Sequence, residues 1–363
     1  MAQTGYGRCR DAGECMMRVA QIMAGAPQGG AELFFERLSI ALYRSGVQVL
    51  PCIRTEPARA TRLMKAGLKP VQMAFGGLFD IRTGVRLRSQ LRAFAPQIAI
   101  AWMSRAARFA PSGDWTLAGR LGGYYDLGYY RRCQHLIGNT VGLTRWMVQQ
   151  GWPEDRVHYL PNFANDFSRI PAADRAEMKI PPHVPLVLAL GRLHRNKGFD
   201  TLICALRHLP GVHALIAGEG PEREALTDLA RKMGVEDRLY MPGWRSDTGA
   251  LLAMADMLVC PSRHEPLGNV VIEGWSATCP VVATAADGPR ELIQTGEDGL
   301  LSPVDDVDAL ASAIATVLED SALAHRLAAS GRRRFERDYA EAPVLARWLD
   351  WLQRHAAPEK AGR

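Results

Sequence analysis

Three loops in the second half of this 363-residue chain gather cations and carboxylates between apolar runs. The first, Gly191-Arg-Leu-His-Arg-Asn-Lys-Gly198, directly follows the apolar stretch Leu186–Leu190. Arg192 and Lys197 project from that strand end toward one ligand position. Two cations suit a diphosphate, because Arg grips oxygens in a fork while Lys acts as a point charge. Arg195 reads as a solvated loop residue, and His194 carries no sharper reading. The second loop is Pro261-Ser-Arg-His-Glu-Pro-Leu-Gly-Asn-Val270, running on to Glu273. Glu265 falls in the loop, and Glu273 about one turn inside the following helix, at roughly 3.6 residues per turn. Gly268, Asn269 and Val270 stand at that helix's N-terminus, where free N–H groups and the macrodipole favour a phosphate. A carboxylate one turn along can accept two hydrogen bonds from a ribose diol. A phosphate at the helix mouth with a diol beside it describes a nucleotide. The third loop, Ala285-Ala-Asp-Gly-Pro-Arg-Glu291, either closes over a sugar or is an ordinary helix start capped by Asp287.

Open α/β sheets bind ligands beyond the carboxyl ends of their strands, so these loops need such a sheet beneath them. The chain supplies the pattern twice. In the first half, strands Arg18–Met23, Val47–Ile53 and Ile98–Trp102 alternate with helices Ala31–Ser45 and Ile81–Phe94. In the second, strands Leu186–Leu190, His213–Ile216, Met257–Cys260 and Val281–Ala283 alternate with helices. Alternation of this kind predicts βαβ units and a mostly parallel, doubly wound sheet in each half. Prolines 161, 171, 181, 182 and 185 punctuate the stretch between them. The expected domains are therefore 17–165 and 186–335, with a linker over 166–185. A terminal helix and tail over 336–363 include Ala342–His355. Residues 1–16 read as a disordered extension ahead of a natural start at Met16 or Met17.

The Gly25-Ala-Pro-Gln-Gly-Gly30 turn of the first half would let a ligand reach the backbone at Gly29 and Gly30. Alone this signal is weak, since many α/β domains carry such a turn. Gly218-Glu-Gly220 is no dinucleotide fingerprint, having no acidic ribose partner about 20 residues on. Asp306-x-Asp308 precedes the apolar run Ala309–Val317, so helix capping explains it better than a metal. Seven scattered cysteines without a CxxC pair argue against both a disulfide framework and structural zinc, and for reduced, buried thiols. Residues 1–165 hold 21 Lys and Arg against 10 Asp and Glu, a balance of +11. The rest hold 23 against 28, a balance of −5, and the two sum to the net +6. A basic half joined to an acidic half points to an anionic partner for the first, with general solubility as the plainer account.

Taken together, these residues resemble the family-4 retaining glycosyltransferases. The resemblance covers nearly everything from Met17 to about His355. It rests on Gly191–Gly198, on Ala-Gly-Glu-Gly-Pro (217–221), on the glutamates 265 and 273, on 280–291, and on Glu-Asp-Gly-Leu-Leu (297–301). It implies the GT-B architecture, two Rossmann-like doubly wound domains facing a central cleft, with the C-terminal helix returning toward the N-domain. The N-terminal domain would bind the acceptor and the C-terminal one the nucleotide-sugar donor. Arg192 and Lys197 would hold the donor diphosphate, Glu273 the ribose and Glu265 the transferred sugar. Asn269 and Val270 would offer backbone donors, and Gly29 and Gly30 would close from the other domain. No cofactor or metal is implied, because the two cations neutralise the leaving diphosphate. Members of the family often carry a histidine in an N-domain loop. Here the comparable stretch, Arg120-Leu-Gly-Gly-Tyr-Tyr-Asp126, has none, and Asp126 either substitutes as a catalytic group or is a structural hydrogen-bonder.

The resemblance further implies transfer of a hexose to a saccharide or lipid-linked saccharide, in envelope polysaccharide or lipopolysaccharide synthesis. The segment 122–132, ending in Tyr129-Tyr-Arg-Arg132, is similar to bacterial envelope-polysaccharide transferases. Arg82, Arg86, Arg88 and Arg92 interleave with Ile81, Val85, Leu91 and Phe94 on one helix. That helix either docks on an anionic membrane or simply packs with a solvated basic face. No nucleic acid is expected, and no run reaches the roughly 20 apolar residues that span a bilayer. A cytoplasmic enzyme at the inner face of the membrane follows as the expectation. A nucleotide-sugar epimerase of the same fold and a non-catalytic sugar-binding protein are the competing readings. A two-domain dehydrogenase fails for want of the dinucleotide fingerprint.

Overall fold

The computed structural model describes residues 16–27, 29–77 and 80–358. The expectation for residues 1–16 lies, apart from Met16, outside the described residues. Two compact units emerge. One gathers the described residues up to Arg120 with Gly128–His135 and the chain from Trp351. The other comprises Leu121–Leu127 and Leu136–Asp350.

The first half runs β1 (Arg18–Met23), α1 (Gly30–Arg44), β2 (Gln48–Arg54), α2 (Pro57–Lys65), β3 (Val71–Met73), α3 (Ile81–Phe94), β4 (Ile98–Trp102) and α4 (Met103–Phe109). It continues through β5 (Thr116–Leu121), β6 (His135–Gly138), α5 (Val141–Gln149) and β7 (Val157–Tyr159). The sheet order is β3-β2-β1-β4-β5-β6-β7. Three of the helix starts have a local cause in a side-chain cap. Asp80 caps α3 by accepting from the Thr83 N–H at 3.0 Å, and Pro96 follows where the helix ends in left-handed Ala95. Glu56 caps α2 with Pro57 at its first position. Thr140 caps α5 through the Leu143 N–H. Ile98–Ala101 are wholly buried, as a central parallel strand requires. Glu36 receives two arginines: the fully buried Arg59 at 3.1 Å and the half-exposed Arg62 at 2.6 Å. Arg59 also donates to the carbonyls of Ala26 and Pro27 and so anchors the glycine turn ahead of α1.

The second half runs β8 (Leu186–Leu190), α6 (Phe199–Ala205), β9 (His213–Ala217), α7 (Arg223–Met233), β10 (Leu239–Gly243), α8 (Thr248–Met254) and β11 (Met257–Cys260). Then come α9 (Asn269–Ser276), β12 (Val281–Thr284), α10 (Asp287–Leu292), β13 (Leu300–Ser302), α11 (Val307–Glu319), α12 (Ser321–Arg334) and α13 (Glu341–His355). The sheet order is β10-β9-β8-β11-β12-β13, with parallel register throughout. Counted within its own half this is 3-2-1-4-5-6, the dinucleotide-fold order. One core layer packs α6, α7 and α11 on one face of the sheet, around Leu202, Leu206 and Ile314. The other packs α8 and α9 on the opposite face, around Leu251, Ile272 and Trp275. Among the described residues no helix is long and apolar enough to cross a membrane.

Candidate active site

In a 3-2-1-4-5-6 sheet the strand order reverses between the first and fourth strands, and the crevice beyond their carboxyl ends is the ligand position. Here those strands are β8 and β11, which pair through Met257↔Val187 and Leu258↔Leu188. The loops that leave them are Gly191–Gly198 and Pro261–Leu267. Topology alone therefore brings together the two segments singled out by their charges.

The two loops are stitched by backbone. The N–H groups of Arg263 and His264 both donate to the Asn196 carbonyl, at 2.8 and 3.1 Å. Gly198 makes the approach possible. It sits at φ +61°, and a Cβ there would stand 2.0 Å from the Pro261 carbonyl oxygen. Arg263 braces the junction from outside, bidentate to Asp200 at 2.7 Å for each bond and reaching Asp305 at 2.5 Å. Burial disfavours the Asp200 carboxylate, yet those bonds outweigh it and hold the acid below its ordinary range.

Beneath the first loop lies the Ala217–Pro221 turn. The Gly191 N–H donates to the Ala217 carbonyl at 3.2 Å, and the Leu193 N–H to Glu219 at 3.0 Å. A Cβ on Gly218 would stand 1.8 Å from the Gly191 oxygen, and one on Gly220 2.2 Å from the Leu193 oxygen. Gly218-Glu-Gly220 is thus a floor for the cation loop, which agrees with setting it aside as a nucleotide fingerprint.

The Lys197 side chain passes Gly191, and its ammonium forms an ion pair with Glu265. Burial pulls the Lys197 pKa down, but Glu265, with a smaller push from Glu273, outweighs it and raises it above the ordinary lysine value. Glu265 also accepts from Ser262 Oγ at 3.5 Å and the Gly268 N–H at 3.4 Å. Arg192 is exposed and, among the described residues, pairs with no carboxylate. Its guanidinium is open to an anion.

The second loop ends at Gly268, left-handed at φ +86°, which turns the chain into α9. No side chain caps that helix. The first-turn N–H groups of Asn269 and Val270 therefore remain available, which is the condition for an anion site. Asn269 Oδ1 accepts from Asn162 Nδ2 at 3.3 Å. Glu273, half-buried, stands one turn along the same helix, as its spacing predicts.

The third loop joins the second through one contact. The Gly288 N–H donates to the Glu265 carbonyl at 2.7 Å, and a Cβ on Gly288 would stand 2.4 Å from Leu267. Two expectations change here. The cap of α10 is Ala286, with no side-chain bond, and Asp287 is the first helical residue, so Asp287 is not the cap. Glu291 leaves the loop cluster: its carboxylate accepts from the Val141 and Gly142 N–H groups at 2.5 and 2.6 Å, at the N-terminus of α5.

Gly29 is the N-cap of α1 and Gly30 its first residue. The space beside the turn is filled by a neighbour, since a Cβ on Gly25 or Gly29 would stand 2.2 or 2.3 Å from the Glu32 carboxylate. Glu32 accepts from the Ala26 N–H at 2.8 Å. The small residues accommodate Glu32 first, a role the Gly-Gly pattern alone does not announce. Asp126 is exposed in the loop after β5. Asp306 caps α11 through the Ala309 N–H at 2.9 Å, as expected. The cysteines are chemically quiet: burial pushes Cys52, Cys133 and Cys279 up to about 12 and Cys260 to about 11. Cys9 and Cys15 lie outside the described residues.

Two cations, an uncapped helix mouth and two carboxylates meet at the switch point, and similarity to known proteins assigns the class. A family model of the group 1 glycosyl transferases matches residues 172–334. The lipopolysaccharide core biosynthesis glycosyltransferase LpsE of Rhizobium meliloti (strain 1021) is 34% identical over 330 residues, covering 89% of this chain and 96% of that protein. The chain belongs to the group 1 glycosyl transferases. LpsD of the same organism, also a lipopolysaccharide core glycosyltransferase, is 34% identical over 346 residues, covering 94% of this chain and 99% of that protein. The crystal structure of Anabaena Alr3699/HepE in complex with UDP-glucose superposes with a TM-score of 0.80 at 20% identity, covering 93% of this chain and 100% of that one. The transferase therefore has the GT-B fold, and nothing in its site favours an epimerase.

Sequence reasoning singles out Arg192, Lys197, Glu265, Gly268, Asn269, Val270 and Glu273, and all seven fall on the two stitched loops or on α9, which follows the second. It misses Ser262, Arg263 and the glycines 198, 218, 220 and 288. What these residues contribute is contact with segments distant in sequence, and no local pattern says which backbone approaches.

Proposed function

We propose that this transferase moves a hexose, with retention, from a nucleoside-diphosphate sugar to a saccharide or lipid-linked saccharide in envelope polysaccharide or lipopolysaccharide synthesis. The observation that carries the donor assignment is the convergence of Arg192, Lys197 and the uncapped start of α9 at the β8/β11 switch point, with Glu265 and Glu273 beside them. Arg192, Lys197 and the Asn269 and Val270 N–H groups take the diphosphate. Glu273 takes the ribose and Glu265 the sugar. No metal is needed, since the two cations meet the charge that develops on the leaving diphosphate. The acceptor class is supported by the lipopolysaccharide core relatives, and a uridine donor by HepE, crystallised with UDP-glucose.

A thermal-shift panel of UDP, GDP, ADP, CMP and NAD on wild type and Glu273→Ala tests the donor site. A nucleoside diphosphate at 100 times its Kd is expected to stabilise the wild type by about 2.7 kcal/mol, and the variant is expected to lose that response. A response to NAD alone would refute the reading.

The same proposal places the enzyme in the cytoplasm, on the inner face of the membrane, through α3. That helix buries Thr83, Leu87 and Leu91 while leaving Ile81 and Val85 76% and 66% exposed beside Arg82, Arg86, Arg88 and Arg92. Ile81, Val85, Arg88 and Arg92 share one outer stripe at helical spacing. Surface arginines contribute about 1 kcal/mol each at an anionic bilayer. Arg88→Glu with Arg92→Glu is therefore expected to cut co-sedimentation with phosphatidylglycerol vesicles more than tenfold. Absence of wild-type binding at low salt would reject the membrane contact.

A further inference from the structure

A second cluster of cations stands in the first unit, where the donor chemistry makes no use of it. A cavity of about 230 Å³ is lined by Ala107 and Arg108 of α4 and by Gly128, Tyr129, Arg131 and Arg132, around the 3-10 turn Leu127–Tyr130. The turn is pinned by Tyr130, which is wholly buried and whose carbonyl accepts from the Cys133 N–H at 2.8 Å. That anchoring leaves Tyr129 44% exposed and Arg131 and Arg132 at the surface. Arg132 reaches across to the Arg108 carbonyl at 3.4 Å. None of the three arginines has a carboxylate partner among the described residues.

Three guanidinium groups around one small cavity repel one another, and arginine cannot shed its charge by losing a proton. A bound anion relieves that repulsion, and the planar forks match the oxygens of a phosphate or a carboxylate. The tyrosine ring adds an apolar face with a polar tip at the same rim. The cavity is smaller than the roughly 300 Å³ at which pockets for drug-sized ligands begin, so it suits a single ring.

We propose that this pocket binds one sugar ring carrying an anionic group, Tyr129 packing on the ring and Arg108, Arg131 and Arg132 holding the phosphate or carboxylate. Resting on the transferase reading, the acceptor brings that group, because the donor diphosphate has its own cations in Arg192 and Lys197.

The test is calorimetric titration of the full-length protein at low salt, with the responding nucleoside diphosphate present to occupy the donor site. The probes are glucose 6-phosphate, glucuronate, glucose and inorganic phosphate. Saturable binding is expected for glucose 6-phosphate or glucuronate and not for glucose, and the tighter of the two names the anion. Arg131→Gln and Arg108→Gln are each expected to weaken it at least tenfold. Tyr129→Ala is expected to weaken the sugar anion severalfold while leaving inorganic phosphate unchanged. Equal binding of glucose, binding of inorganic phosphate as tight as that of the charged sugars, or indifference to the arginine variants overturns the proposal. These side chains are exposed, and a retained nucleotide shift in each variant reports an intact fold. Failure of the nucleotide panel in wild type would count against the transferase reading, whereas failure of these titrations with the nucleotide response intact counts against the pocket alone.

Discussion

Replacing Lys197 by methionine is expected to lower kcat by about 10²–10³, the usual loss when one group facing developing transition-state charge is removed. Methionine keeps an unbranched stem beside Gly191, whose Cβ position lies 3.2 Å from Lys197 Cε. The loss is therefore electrostatic rather than a packing defect. In the proposed donor site, the departing diphosphate gains negative charge beside that ammonium as the bond to the sugar breaks. The effect belongs mainly in kcat, with a smaller rise in KM for the donor, because the diphosphate is already anionic in the ground state. Two companion measurements sharpen the result. Wild-type activity is expected to survive a chelator if, as proposed, Arg192 and Lys197 do the neutralising. Asp126→Asn separates two routes for the acceptor's proton. Full activity leaves it to a departing phosphate oxygen, by front-face displacement, whereas a fall of about 10²–10⁴ assigns it to Asp126. A Lys197→Met enzyme within threefold of wild type would end the two-cation account.

What the sequence reveals about this site follows from how buried its parts are. The strands β1, β4, β8 and β11 are the central ones of their sheets and are buried along nearly their whole length. Their apolar runs therefore mark their ends to the residue, and the loops that follow can be located. The edge strands β3, β7, β10 and β13 are half-exposed and two of them end in a polar or turn residue, so they carry no comparable signal. Within the site, charge is legible because Arg192, Lys197 and Glu265 stand in the loops that directly follow apolar strands, with Glu273 one helical turn beyond. Close backbone approach is not legible. Gly198, Gly218 and Gly288 are identified only by what a Cβ would strike, and each strikes a segment distant in sequence. The same holds for Glu32, whose carboxylate claims the space beside the Gly25–Gly30 turn. Asp287 shows the limit of local pattern: it has the chemistry of a cap, but the helix begins one position too early for it to serve.

Glu36→Ala is expected to destabilise the first unit by about 3–5 kcal/mol, because it strands the buried guanidinium of Arg59. Arg59 is wholly inaccessible and Glu36 nearly so, whereas Arg62 is half exposed and contributes little through its own pair. Differential scanning calorimetry is expected to show the transition of that unit falling by roughly 10 °C, at about 2–4 °C per kcal/mol for a domain of this size. The consequence reaches the turn ahead of α1 as well, since the same guanidinium holds the Ala26 and Pro27 carbonyls. A double change, Glu36→Leu with Arg59→Met, removes both charges together and is expected to recover most of the lost stability, while losing the clamp on that turn. The two variants thus separate burial of a charge from positioning of a loop. If Glu36→Ala costs less than about 1 kcal/mol, the two carbonyls alone satisfy Arg59. The ion pair would then be incidental to the turn that it touches.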